Sequence, residues 1–186
     1  EVQGFKSFAN KINFQFHQGI TGIVGPNGSG KSNVADAVRW VLGEQRIKQL
    51  GGESMQDVIF SGTELRKPLG YAYVAITFDN ADHQLAIEYE EVTVARRLYR
   101  SGESEYSINS TPCRLKDVNE LFYDTGIGKE GYSIIGQGQI EKILSGKPEE
   151  KRELFDEAAG IVKFKKRKAT AQKKLEDEKN NLVRVS

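Results

Sequence analysis

The stretch Gly25-Pro26-Asn27-Gly28-Ser29-Gly30-Lys31-Ser32 fits the pattern G-x-x-x-x-G-K-[ST] and constrains this chain more than any other feature. Such a loop works in one setting only, between the end of a strand and the first turn of a helix. There, backbone amides and the helix N-terminus direct donors and positive potential at an anion. The flanking sequence meets that requirement. Gly19 to Val24 is apolar on both faces, which predicts a short buried strand, and Val34, Ala37, Val38, Val41 and Leu42 recur at helical spacing until Gly43 closes the pattern. Glycines let the loop backbone wrap phosphates closely. Lys31 suits a mobile point charge on the β- and γ-phosphates, and the Ser32 hydroxyl suits one position of an octahedral Mg²⁺. A glycine-rich turn that only caps a helix is the bland alternative, and the strand-to-helix context argues against it.

Elsewhere the pattern is simpler. Alternation from Glu1 to Phe16, clearest in Lys11 to Phe16, predicts half-buried antiparallel strand. The middle reads as strand and turn, with strands at Gln56 to Phe60, Gly70 to Asp79, Leu85 to Tyr89, Glu91 to Arg100 and Glu105 to Asn109, a meander forming its own lobe. Leu115, Val118, Leu121 and Phe122 predict a short helix ended by Gly126, and a glycine-punctuated loop runs on to Gly138. Pro148 with Glu149 and Glu150 opens another helix, interrupted at Gly160. Beyond it Phe164, Lys168, Ala171, Leu175, Glu178, Leu182 and Val185 step by four and three, the spacing of a coiled coil with two charged core positions. A lone helix cannot bury that stripe, so another chain or a later part of this one must lie against it. The expected division is a lobe over 1–160 and the root of an arm over 161–186.

Composition bounds the alternatives. A chain of 186 residues suggests one domain, and 27 Lys and Arg against 26 Asp and Glu exclude a strongly basic tail as the main theme. Hydrophobic residues at 38% exclude disorder throughout. The most apolar run, Tyr71 to Phe78, falls well short of the roughly 18 to 20 residues of a membrane span, and no basic-then-apolar leader opens the chain. One cysteine, Cys113, fits a reducing compartment, so a cytoplasmic location and no membrane partner are expected. The start at Glu1 and the stop inside a helical pattern suggest a piece of something longer. From Lys163 to Lys174 seven residues are Lys or Arg and none is acidic, which suits either contact with DNA phosphates or a solvated face beside a coiled-coil seam.

A phosphate loop does not hydrolyse its ligand without an acid that holds metal and a group that orients water. Val74 to Phe78 followed by Asp79 imitates an apolar strand ending in a metal-binding acid, yet Asp79 opens a turn and reads as a hairpin residue. Leu144-Ser145-Gly146 imitates the start of a phosphate-sensing motif but continues with Lys147-Pro148, so it reads as the cap of the next helix. His17 and His83 lack the partners a catalytic histidine needs.

Taken together, Gly4 to Phe8, Gly25 to Asn33, Val38 to Gln45, Tyr99 to Glu103, Ser133 to Gly138 and Phe155 to Gly160 resemble the SMC (structural maintenance of chromosomes) ATPases, specifically the N-terminal half of a bacterial SMC head. The resemblance implies an α/β fold of the ABC type: a P-loop half-head with a mixed sheet, an antiparallel β lobe and the start of a coiled-coil arm. It implies ATP and Mg²⁺ as cofactors, with Gly25 to Asn33 around the nucleotide. Ser32 and Gln137 would hold the metal, and Lys31 and Gln137 would serve catalysis, with Gln139 as the alternative to Gln137. Lys6, Ser7 and Phe8 are either near the nucleotide by the same resemblance or ordinary sheet residues. Implied partners are the C-terminal half of the same head, a second head in a homodimer, a kleisin subunit and DNA. The acidic metal-binding strand and the serine-glycine signature would come from the C-terminal half, so this chain would hold half an active site and be inactive alone. One departure stands out, since Gly51 occupies a place where related heads commonly carry an arginine, with Arg46 or Lys48 as candidate substitutes. The rival readings are a DNA-repair ATPase of the same superfamily and a self-contained P-loop kinase or NTPase.

Overall fold

The computed structural model describes residues 1–17, 19–122, 125, 152, 168, 171, 172 and 174–178. The chain divides into two compact units, Glu1–Leu121 and Phe122–Ser186. In the first, β1 (Val2–Gln3) is followed by helix α1 (Lys31–Val41) and two 3₁₀ turns, Ile47–Leu50 and Met55–Val58. Strands β2 (Tyr71–Asp79), β3 (Glu91–Tyr99), β4 (Ser104–Ile108) and β5 (Thr111–Cys113) come next, then helix α2 (Leu115–Leu121). The strands form one antiparallel sheet in the order β1-β2-β3-β4-β5.

Of the predicted meander, the strands at Gly70 to Asp79, Glu91 to Arg100 and Glu105 to Asn109 stand because their alternation matches their pairing. Tyr71 faces Tyr99 and the register runs unbroken to Asp79 opposite Glu91. That register puts Ala72, Val74, Val92, Val94 and Leu98 on the buried face. Tyr71, Tyr73, Thr77, Thr93 and Arg97 take the other face, where Thr77 and Thr93 share a hydroxyl hydrogen bond of 2.8 Å. Helix α1 lays Val34, Ala37, Trp40 and Val41 toward the core and packs on β2 and β3. The Phe5 ring stacks on Trp40 at 5.3 Å. Helix α2 buries Val118 and Leu121. Gly43, just past α1, has φ 103°, which favours glycine, and a Cβ there would also lie 2.9 Å from Leu115 Cδ1 of α2.

Four predicted strands depart from the expectation, each for a physical reason. Between Glu1 and Phe16 only Val2–Gln3 is strand, with Ile12 bridging to Val2 through two hydrogen bonds of 2.9 Å. Positive φ at Gly4 (66°) and Lys6 (48°) turns the intervening chain, bringing Phe8 N to Phe5 O at 2.8 Å. Gln56 to Phe60 begins in a 3₁₀ turn because Ser54 and Asp57 form a reciprocal cap. Leu85 to Tyr89 is not strand because Asn80, 1% exposed, takes over its backbone groups. Asn80 Nδ2 faces the carbonyls of Leu85, Ile87 and Tyr89 at 3.4, 3.2 and 2.8 Å, and its Oδ1 accepts from Leu85 N at 2.8 Å.

Gly19 to Val24 is likewise not strand: Ile20 is fully exposed and Val24 93% exposed, with no strand among the described residues pairing its backbone. In the second unit Lys168, Ala171, Gln172 and 174–178 are helical, as the heptad spacing predicts, and they are exposed. The glycine-punctuated loop to Gly138 and the remaining heptad positions lie outside the described residues.

Replacing Asn80 by Ala should lower unfolding free energy by about 2 kcal/mol, since buried carbonyls and an amide lose their partner. Urea unfolding of the two proteins measures it. A second expectation concerns pH. Backbone amides of Ser54 and Glu53 hold the Asp57 carboxyl below the usual carboxylate range. Its stabilisation is therefore present above the unfolded pKa and is lost as pH falls through the folded one. The stability difference between wild type and Asp57→Asn should shrink as urea melts are taken down that window.

Candidate phosphate-binding site

The loop ends at Gly30, which caps α1 at φ 89° and ψ 12°, a left-handed conformation that favours glycine. A Cβ there would lie 2.7 Å from Ser7 Oγ, so the position is restricted by space as well as by dihedral. At the other end, a Cβ on Gly25 would come within 2.7 Å of Ser29 Oγ. The loop is thus folded tightly on itself, while Gly25 to Ser29 and Ser32 remain exposed. No side chain caps the helix and no acid occupies its first turn. The positive end of α1 is left for an external anion.

Lys31 lies in the first turn and folds back across the loop. Its Nζ donates to Gly25 O at 2.8 Å and Pro26 O at 2.7 Å. These are neutral acceptors, which an anionic oxygen can displace because it adds attraction between opposite full charges. Glycine crowding, a caged lysine and an uncapped helix end together fit a phosphate group.

The turn Gly4 to Phe8 is drawn against this loop. Asn33 Nδ2 donates to Ser7 Oγ at 2.8 Å, and the Phe8 ring would be 3.7 Å from a Cβ on Gly30. Lys6 pairs with Asp36 on α1, and Asp36 also accepts from Arg39 Nη1 at 3.4 Å. Asp36 is therefore answered by two cations. Lys6, Ser7 and Phe8 form a turn that braces the phosphate loop, and neither the Ser7–Asn33 bond nor the Lys6–Asp36 pair follows from local sequence spacing. Only the Asp36–Arg39 pair, three residues apart on a helix, leaves a local signal.

The remaining candidates separate from the loop. Asp79 Oδ1 accepts from Ala81 N at 3.0 Å, a hairpin role. His83 sits in the same turn with φ 52°. Gly51 ends the first 3₁₀ turn at φ 71°, where an arginine would be strained, and Arg46 is tied to Glu44 through a backbone hydrogen bond of 2.7 Å. Gln137, Gln139, the Ser145 segment and most of Lys163 to Lys174 lie outside the described residues. No cluster of three metal-ligating side chains occurs among those described.

Residues 1–179 match the family described as RecF/RecN/SMC N terminal domain. The chain belongs to this family. The chromosome partition protein Smc of Clostridium kluyveri is 63% identical over 185 residues, covering 100% of this chain and 16% of that protein. A Pyrococcus furiosus Smc head domain with an extended coiled coil, bound to the C-terminal domain of ScpA, has a TM-score of 0.81. It is 38% identical, over 99% of this chain and 46% of that one. A further structure, from work on ATP-driven dimerization and DNA-stimulated activation of SMC ATPases, has a TM-score of 0.76 at 37% identity. It covers 84% of this chain and 95% of that one. The fold is that of an SMC head, an ABC-type P-loop fold with an antiparallel lobe. The chain spans about a sixth of the length of the curated relatives it matches, at 16% for the first.

Gly30→Ala should destabilise the chain by about 1 to 2 kcal/mol through its left-handed φ alone, with a further cost from contact with Ser7. Ser7→Ala should recover only the contact part in the Gly30→Ala background while destabilising wild type through loss of the Asn33 bond. A double-mutant cycle in urea separates the two.

Proposed function

We propose that this chain is the nucleotide-binding part of an SMC ATPase head. It binds ATP with Mg²⁺ through Gly25 to Asn33, and the full protein uses binding and hydrolysis to join and separate two heads during chromosome partition. The observation that carries the reading is Lys31 folded onto the carbonyls of Gly25 and Pro26 at the uncapped end of α1, behind a loop that turns through left-handed Gly28 and Gly30. Lys31 exchanges the carbonyls of Gly25 and Pro26 for phosphate oxygens. Asn33, held by Ser7, keeps the first turn from swinging away from the loop. Ser32 and Gln137 are the residues that would hold Mg²⁺, which would offset charge on the phosphates, and Gln137 would also orient the attacking water. Both assignments rest on the family pattern.

Hydrolysis needs residues from the C-terminal half of the head and from a second head. One feature supports a missing complement, the exposed apolar segment with Ile20 and Val24. Residues 161–186 are the root of the arm, returning alongside a later helix of the same protein. A kleisin such as the ScpA seen on the Pyrococcus head, and chromosomal DNA, are the further partners, with a cytoplasmic, nucleoid-associated location. No helix among the described residues is long and apolar enough to cross a membrane.

In the full-length protein, Lys31→Ala should weaken ATP binding by about tenfold to a hundredfold, the equivalent of about 1.5 to 3 kcal/mol for one charge-assisted contact. Calorimetry reads it directly, and unchanged affinity overturns the assignment. The isolated 186-residue chain should show negligible turnover, and robust hydrolysis by it would refute the half-site reading.

A further inference from the structure

Arg96 stands in the middle of β3, opposite Val74 on β2 and Tyr106 on β4, and faces the core. It is 2% exposed. Its guanidinium lies between two rings, 4.4 Å from the centroid of Trp40 and 4.9 Å from that of Tyr106. Nη1 donates to the carbonyls of Trp40 and Glu44, both at 3.0 Å. Nη2 approaches Gln45 Oε1 at 3.5 Å and Nε approaches Ser104 Oγ at 3.4 Å. Gln45 Nε2 in turn donates to Tyr106 Oη at 2.8 Å.

The two carbonyls and Gln45 belong to the last turn of α1 and the turn that leaves it, and Ser104 to β4. The helix end is negative, and Trp40 O, which also accepts from Gly43 N at 3.2 Å, and Glu44 O each offer a lone pair that a cation can take. Burial pulls the guanidinium's proton affinity down, and the neighbouring Tyr106 and Glu44 oppose that pull. An apolar side chain of the same length would fill this space without a buried charge. What the guanidinium adds is geometry: a planar fork on two carbonyls, clamped between two rings, restricts both sliding and rolling of the helix end.

Helix α1 is 11 residues long, about 16 Å from end to end, and its other end is the phosphate loop. A short helix moves as a rigid rod. Its N-terminal end is braced by Ser7 on Asn33 and Lys6 on Asp36, and its C-terminal end by Arg96. We propose that Arg96 is a positioning residue for the phosphate loop, setting from β3 the pitch at which α1 presents Lys31 and Ser32 to nucleotide. The proposal rests on the nucleotide-binding reading above. A slight change of pitch leaves most ground-state contacts in place but spoils the alignment of reacting groups, to which rate is far more sensitive.

The test uses the full-length protein with Arg96→Lys, which keeps charge but loses the fork, Arg96→Met, which keeps length, and Gln45→Ala at an exposed position. Thermal melts, ATP affinity by calorimetry and steady-state turnover are measured alongside Lys31→Ala. Both Arg96 variants should bind ATP within about threefold of wild type while kcat falls at least tenfold and KM changes less, with Gln45→Ala giving a smaller fall in kcat. A lower melting temperature with kcat within twofold would make Arg96 a packing residue only and overturn the proposal, while loss of ATP binding in Lys31→Ala kept the nucleotide reading intact. Should Arg96→Met fail to fold, Arg96→Lys and Gln45→Ala decide, and unchanged kcat in both overturns the proposal. If wild type binds no ATP, or Lys31→Ala binds as well as wild type, both readings fall together.

Discussion

The seat of helix α1 on the antiparallel sheet determines where the phosphate loop sits. Val34, Ala37, Trp40 and Val41 form a stripe along one side of an 11-residue helix, and a helix this short would not hold together in water without that burial. The stripe also sets rotation. Turning α1 enough to expose Val34 would carry Lys31 and Ser32 away from the loop they complete. Core packing and ligand geometry are therefore the same restraint seen from two sides of one helix.

Much of this was legible from pattern alone. Strands β2, β3 and β4 and helices α1 and α2 follow from alternation, helical spacing and turn residues, because each builds its own buried face from neighbours close in sequence. The glycine-rich turn that opens α1 was equally legible, since its glycines act through local backbone. Two of the misses share a cause. Periodicity says which residues gain from burial, while the neighbour that buries them is supplied elsewhere. At Leu85 to Tyr89 one buried amide, Asn80, took the backbone groups a strand would have used. At Gly19 to Val24 the residues have the character of a central strand, yet no described strand lies beside them.

The brace around the loop was hidden for a related reason. Ser7 and Asn33 are 26 residues apart, and Lys6 and Asp36 are 30 apart, so only the folded chain brings them together. Arg96 was hidden more deeply. Beside Arg97 it looks like half of a basic pair on a half-exposed strand, but alternation sends the two to opposite faces. Arg97 goes to the outer face, over Tyr71 and Tyr73, and Arg96 into the core. A sequence-level rule that keeps charges outside fails where two rings and a helix end are ready to receive one.

Trp40 is the sole tryptophan of this chain, and it is completely shielded from solvent, with the Phe5 ring on it at 5.3 Å and the Arg96 cation at 4.4 Å. The chain thus carries one indole chromophore at the junction between the helix behind the phosphate loop and the sheet that supports it. Its light emission is short-wavelength while that junction is closed and shifts to the red when water reaches it. A tryptophan fluorescence signal from this chain is consequently an optical record of one joint.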